Sequence, residues 1–179
     1  GTAPRTGFPG EASGRLRPWK NWKPIEQATM SYGYGLNVSL LQLARAYTLF
    51  TNEGQLLPVT FQKRDSRPIG RQIIKPDTAA QMSAMLETVM QPGGTATKGP
   101  MTGYRMAGKT GTARKLVNGR YVDDRHVAFF CGYGPVSDPR FIIAVLVDEP
   151  AAGKYYGGDV SAPVFANIMA GALRNANIP

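Results

Sequence analysis

The stretch GYRMAGKTGTARK, residues 103–115, holds two overlapping sets of residues spaced for chemistry. Gly103, Gly108, Lys109 and Thr110 satisfy GxxxxGK[ST], the pattern of a phosphate-binding loop. Lys109, Thr110, Gly111 and Thr112 place an ammonium, two hydroxyls and a glycine in consecutive positions. The two readings need different surroundings. A phosphate loop works when an apolar strand delivers a glycine-rich turn into the first turn of a helix, whose free N–H groups and dipole hold the phosphates. Here TATKGPMTGYRM precedes the lysine, and Asn118-Gly119, a two-residue hairpin turn, follows it. Both flanks argue for a strand and against nucleotide binding.

On a strand, Thr110 and Thr112 share one face while Lys109 and Gly111 share the other. At the rim of a cleft such a strand offers backbone N–H groups, two hydroxyls and one ammonium to an anionic, peptide-like ligand, with Gly111 leaving room for close approach. That set suits acyl transfer. A backbone N–H aimed at an oxyanion is worth about 3–4 kcal/mol, and an ammonium about 4 Å from a carboxylate roughly 4 kcal/mol at an effective dielectric near 20. On the residues alone a plain basic hairpin remains the simpler reading, because three residues such as KTG recur by chance.

The elements that must position this strand follow from periodicity. Residues 1–37 are rich in Gly, Pro and aromatics, with a short helix over Pro24–Met30. Leu40, Leu41, Ala44, Tyr47 and Phe50 form one face of a helix that starts near Asn37 or Ser39 and ends before Gly54. Short strands are expected over Gln55–Phe61 and Arg71–Ile74. A second helix is capped by Asp77, buries Ala80, Met82, Met85, Leu86, Val89 and Met90, and stops at Pro92-Gly93-Gly94. Strands over 105–117, 120–122, 126–136 and 140–150 then lead to a last helix over Ala162–Ala176 with Val164, Phe165, Ile168, Met169, Ala172 and Leu173 inward. The class is α+β, with helices against an antiparallel sheet.

Composition narrows the chemistry further. With 179 residues, 42% of them hydrophobic and 18% charged, the chain has the size of one domain. No apolar run approaches the roughly 20 residues that span a bilayer. The formal charge of +9 raises nucleic acid as a partner. Its densest basic stretch, RLRPWKNWKP at residues 15–24, interleaves Trp19 and Trp22 with four cations, but no nucleic-acid module accompanies it, and a surface segment that packs both indoles on the domain is expected instead. Cys131 and His126 each stand alone, which removes disulfides and multi-histidine metal sites within the chain and leaves one histidine as a candidate base, with no GxSxG elbow to serve. No metal and no cofactor are expected.

Further stretches join the lysine motif in order along the chain: FPGE (8–11), ATMSYGYGLNVSLLQLARAY (28–47), GGTAT (93–97), AGKTGTARK (107–115), DEP (148–150) and YYGGDVSAPVF (155–165). Together they resemble class B penicillin-binding proteins of the cell-division type, whose signatures are SxxK, SxN and KTG. The resemblance implies a C-terminal portion of a transpeptidase domain: a loop-rich lead-in over 1–37, helices and short strands over 38–99, and a KTG strand, meander and C-terminal helix over 100–179. It implies a D,D-transpeptidase that cross-links septal peptidoglycan stem peptides on the periplasmic face of the inner membrane, is acylated by β-lactams, works with other division proteins, and is held by a membrane anchor outside this chain. By the same resemblance Lys109 orients the substrate carboxylate and supports proton transfer, while the hydroxyls of Thr110 and Thr112 bind that carboxylate. The N–H of Thr112 supplies half of the oxyanion hole, Gly111 lets the substrate approach, and Arg114, Tyr155 and Tyr156 form cleft walls.

One departure from the family pattern is large. None of Ser13, Ser31, Ser39, Ser66, Ser83, Ser137 and Ser161 begins SxxK or SxN. The resemblance places both motifs upstream of FPGE, so the nucleophile is expected outside these 179 residues and the chain by itself is expected to be inactive. A non-catalytic binding or regulatory module on the same fold is the alternative.

Overall fold

The computed structural model describes residues 2–99, 103–118, 120–151 and 153–178. Its centre is an antiparallel sheet of β5 (Ala107–Val117), β6 (Arg120–Gly134) and β7 (Phe141–Asp148), in the order β5–β6–β7. Val117 pairs with Arg120 at the hairpin end, where Asn118 takes a left-handed φ of 49°. Gly119, the second residue of the expected turn, lies outside the described residues. The expected separate strands over 120–122 and 126–136 are one strand. The register shifts between Arg114, opposite His126, and Leu116, opposite Tyr121, so the charged run Asp123–Arg125 bulges out of the ladder and stays exposed, beyond the reach of β7, which pairs with Val127–Gly134 alone.

Alternation along β6 sorts its side chains into two cores. Phe130 and Val145 face α5 (Gly157–Asn175), where Phe165, Met169 and Leu173 join them. Cys131 and Tyr133 face the other way, against Tyr47 and Leu86. That second layer contains α2 (Leu40–Ala46), α3 (Thr48–Thr51) and α4 (Pro76–Thr88). A sheet covered on both faces by helices is the expected α+β arrangement.

Local chemistry sets the helix limits. Ser39 caps α2 through a reciprocal box in which its hydroxyl accepts from the Gln42 N–H at 3.2 Å and the Gln42 carboxamide oxygen accepts from the Ser39 N–H at 2.7 Å. Asn37 belongs instead to β2 (Leu36–Asn37), paired with β1 (Arg15–Leu16). The expected continuous helix breaks at Tyr47, because the Thr48 hydroxyl donates to the Arg45 carbonyl at 2.7 Å and accepts from the Leu57 N–H at 3.1 Å, competing with the helical ladder. The strands expected over 55–61 and 71–74 shorten to β3 (Gln55–Leu56) and β4 (Arg71–Gln72).

In α4 the cap is Lys75, with Pro76 in the first turn; Asp77 sits inside that turn, beside the positive end of the dipole. Its buried residues are Ala79 and Leu86, with Met90 buried just beyond its end, while the expected core positions Ala80 and Met85 are exposed. In α5 the helix begins five residues before the expected Ala162, and Val164 and Ile168 stay exposed. The added first turn starts with two glycines, of which Gly157 packs against the sheet backbone and Gly158 against the Thr95 carbonyl. Trp19 is also exposed, in a single 3-10 turn at Trp19–Asn21, whereas the Trp22 indole is half-buried and donates to the Arg17 carbonyl at 3.0 Å. Only one of the two expected indoles packs down.

α1 (Pro24–Met30) forms as expected, with Glu26 closing back on the Lys23 N–H at 2.9 Å. Tyr34 beyond it meets Tyr121 edge-on at 6.3 Å, tying the lead-in to the β5–β6 ribbon. On the approach to β5, Arg105 forks onto Glu87 of α4 at 2.5 and 2.7 Å.

Two measurements test this packing. Phe165→Ala is expected to lower unfolding free energy by about 3–5 kcal/mol in urea titrations, because its ring lies fully buried 4.6 Å from Phe130. The hydrogen bond from Arg105 holds the Glu87 carboxyl below its ordinary value of 4.5. Its contribution is therefore complete above that value and lost as pH falls through the lower folded one. Glu87→Gln is expected to flatten the fall in melting temperature below about pH 4.5, an effect absent at neutral pH from titration of this group.

Candidate active-site wall

Gly108, Lys109 and Thr110 lie within β5, which is followed by its hairpin partner and not by a helix. The phosphate-loop match therefore has no phosphate-loop geometry. Among the described residues β5 pairs with β6 alone, so its outer edge carries unpaired backbone donors and acceptors.

The open edge changes where Lys109 goes. Strand alternation puts its Cβ on the face opposite Thr110, yet the long stem bends round the edge. Its ammonium donates to the Thr110 carbonyl at 3.1 Å and to the Thr110 hydroxyl at 3.2 Å. The Thr110 hydroxyl also shares a 2.8 Å hydrogen bond with that of Thr95. A line of three polar groups results: ammonium, hydroxyl, hydroxyl. Nothing in the spacing of GGTAT assigns Thr95 to the site; it lies in the turn between the end of α4 and β5. What brings it here is the packing of that turn.

Thr112 is set by α5. The first N–H of the helix, that of Gly157, donates to the Thr112 hydroxyl oxygen at 3.1 Å. With that oxygen accepting, the hydroxyl proton is free to donate to an anionic ligand. The contact requires glycine: a Cβ on Gly157 would stand 2.5 Å from the Phe129 carbonyl oxygen and 2.6 Å from that of Gly111. Two further contacts fix the helix start. Lys98 pairs with Asp159, whose carboxyl is held below its usual range first by that hydrogen bond, and Gly158 packs against the Thr95 backbone and the Thr110 methyl.

Gly111 lies beneath the Phe129 ring on the opposite face, so its missing side chain is occupied by the sheet's own packing. Tyr155 and Tyr156 directly precede Gly157 and pack against each other at a tilt, with centroids 4.5 Å apart, both solvent-exposed. They therefore sit beside Thr112. Arg114 is drawn to Asp123 across the hairpin at 2.6 Å, an exposed pair that occupies its guanidinium. Lys115 holds Asp148 and Glu149 at 2.8 and 2.7 Å, which raises the Lys115 pKa.

Cys131 lies directly across from Lys109 in the ladder. Burial pushes its thiol up to about 12, so at neutral pH it is a buried thiol and no substitute nucleophile. A cavity of about 850 Å³ opens elsewhere, between α3, β3 and the start of β7, lined by opposed charges such as Glu53, Arg67, Asp138 and Arg140. It holds none of the KTGT residues. The strand with the hydroxyls is a wall with an open side, not a closed pocket. No helix among the described residues is long and apolar enough to cross a membrane.

Residues 1–170 match the family model described as the penicillin binding protein transpeptidase domain. The chain is 53% identical over 173 residues to a probable peptidoglycan D,D-transpeptidase, PenA, of Neisseria flavescens, covering 97% of this chain and 43% of that protein. It is 44% identical over 179 residues to the peptidoglycan D,D-transpeptidase FtsI of Escherichia coli strain K12, covering 99% of this chain and 30% of that protein. The apo structure of the TP domain of a Burkholderia pseudomallei penicillin-binding protein 3 superposes with a TM-score of 0.92 at 52% identity, over all of this chain and 55% of that one. The chain thus spans less than half the length of these two curated relatives.

Gly157→Ala is expected to push the helix start off β5 and lower stability by about 1–3 kcal/mol in denaturant titration. Because the clashing atoms are backbone, rotamer changes cannot relieve it.

Proposed function

Since this chain belongs to the penicillin-binding protein transpeptidase family, we propose that it forms the KTGT wall of a serine-type peptidoglycan D,D-transpeptidase, and that the full-length protein cross-links stem peptides during septal wall synthesis. The observation that carries this reading is the convergence of the Lys109 ammonium on the Thr110 hydroxyl and of the Gly157 N–H on the Thr112 hydroxyl.

In this reading the terminal carboxylate of a stem peptide, or the carboxylate of a β-lactam, accepts hydrogen bonds from the Thr110 and Thr112 hydroxyls. Lys109 supplies the positive field and helps move a proton. Donors already aligned by Thr95 and by the α5 N-terminus lose little freedom when the anion arrives, which makes each bond worth more. The Thr112 N–H, on the strand that borders the cleft, provides one oxyanion donor. Tyr155 and Tyr156 contact the acyl side of the ligand, Gly111 admits the Phe129 ring that backs the strand from the opposite face, and Arg114 borders the cleft from the hairpin. The serine nucleophile, its lysine and the SxN residues belong to the part of the transpeptidase domain outside this chain, as do the membrane anchor and the surfaces for other division proteins. The site of action is the periplasmic face of the inner membrane.

Two experiments test the reading. Incubated with a penicillin, the 179-residue chain is expected to show no covalent adduct by mass spectrometry, since none of its serines begins SxxK; a stable one-to-one adduct would overturn this. In the full-length protein, Thr112→Val is expected to lower the second-order rate of penicillin acylation about 10- to 100-fold, the loss of one hydrogen bond to a charged group. An unchanged rate would remove Thr112 from the site.

A further inference from the structure

His126 is the chain's one histidine, and the reading above gives it no task. It pairs with Arg114 in the β5–β6 ladder, two residues from the Thr112–Ala128 pair, so its side chain leaves the sheet on the face that carries Thr112. There the imidazole stacks on Tyr155, ring centroids 4.1 Å apart and planes 19° from parallel. Tyr155 in turn meets Tyr156 at a tilt of 37°, and their phenols share a 3.3 Å hydrogen bond. A column of three rings therefore runs from a strand of the sheet to the residue that caps α5. Lys154, Tyr155 and Tyr156 belong to no helix or strand, and among the described ring contacts the histidine is what joins Tyr155 to the sheet.

We propose that His126 is a positioning residue for the Tyr155–Tyr156 side of the cleft, and that its charge state sets how firmly that side is held, making ligand capture there pH-dependent. This rests on the transpeptidase reading of the Thr112 wall. A neutral imidazole on a phenol forms an offset stack. An imidazolium in the same place adds the attraction of a cation for the ring face, and histidine is the residue type whose charge changes between about pH 5 and 8.

The charged groups around it are mostly paired already. Across β5, Arg114 holds Asp123. On β6 itself Asp124 and Arg125 precede it, and Arg125 reaches Glu149 at 3.7 Å. From the end of β7, Glu149 donates its N–H to the His126 carbonyl at 2.9 Å while its carboxylate is held by Lys115. On the loop side stands Lys154, and at the start of α5 Asp159 is bound to Lys98. Ion pairing offsets much of the cationic repulsion, so the Tyr155 ring face is the partner that distinguishes the two charge states. The charged ring tightens the column; the neutral ring leaves the plain stack.

Both arms of the test use the full-length protein that carries this chain. In the first, trypsin cleavage after Lys154 is followed at pH 8 in wild type, H126F and H126A. H126F keeps a ring and is expected to be cleaved as slowly as wild type, with H126A about 5-fold faster; equal rates in all three overturn the positioning role. In the second, acylation by a fluorescent penicillin is measured at pH 6 and pH 8. The ratio of the rates is expected to be about 3-fold higher in wild type than in H126F, whose ring cannot be protonated. Equal ratios overturn the charge dependence. A wild-type protein that is never acylated overturns the transpeptidase reading, and the cleavage arm still decides the role of the column.

Discussion

The contact on which the site depends is the 3.1 Å hydrogen bond between the first N–H of α5 and the hydroxyl of Thr112. It brings the end of a helix against the middle of a strand, at a distance that leaves no room for a Cβ on Gly157. The helix start is where unpaired N–H groups and the positive end of the dipole are found, so the same contact sets the electrostatics of the wall. Tyr155 and Tyr156 are carried to that place by chain connectivity, and Asp159 returns to Lys98 in the turn that also holds Thr95. If the helix moved outward by one side chain, the hydroxyl, the aromatic pair and the Thr95 turn would all lose their registration.

The sheet supplies the rigidity for this approach. Because β6 is buried on both faces over its second half, each core holds one set of alternating side chains, with Phe130 against Phe165 on one side and Tyr133 against Tyr47 on the other. β5 inherits its position from β6 and keeps an unpaired outer edge among the described residues. That edge lets Lys109 curl over the strand to Thr110, so a residue placed on one face by alternation serves the other. The site is therefore built from a rigid ladder, a fixed helix end and one long flexible side chain. Tight packing makes such a wall hard to deform, which is what donors aimed at an anion require.

Much of this was legible in the sequence where a local rule decides the outcome. The strand around Lys109, the Asn118 turn, the Ser39 cap and the helix over Pro24–Met30 each follow from spacing or capping chemistry. Local preference gives way where neighbours compete with it. Thr48 diverts its hydroxyl to the backbone and breaks a helix, and two glycines begin α5 because a Cβ on Gly157 would meet the sheet backbone and one on Gly158 the Thr95 carbonyl. Val164 and Ile168 satisfy the helical period yet face outward, since the helix is rotated so that Ser161, Phe165 and Met169 meet the sheet.

By itself the sequence determined the strand-borne lysine, its two threonines and the tyrosine pair before Gly157, because alternation, turn signals and motif order act over a few residues. It also determined that no serine here begins SxxK. The tertiary structure alone decided that Thr95 meets Thr110, that Gly157 meets Thr112, and that a histidine 29 residues before Tyr155 stacks on its ring. Such pairings depend on how a helix end, a turn and a strand dock, and docking is set by shape and packing summed over the whole sheet. Local spacing carries no record of that sum.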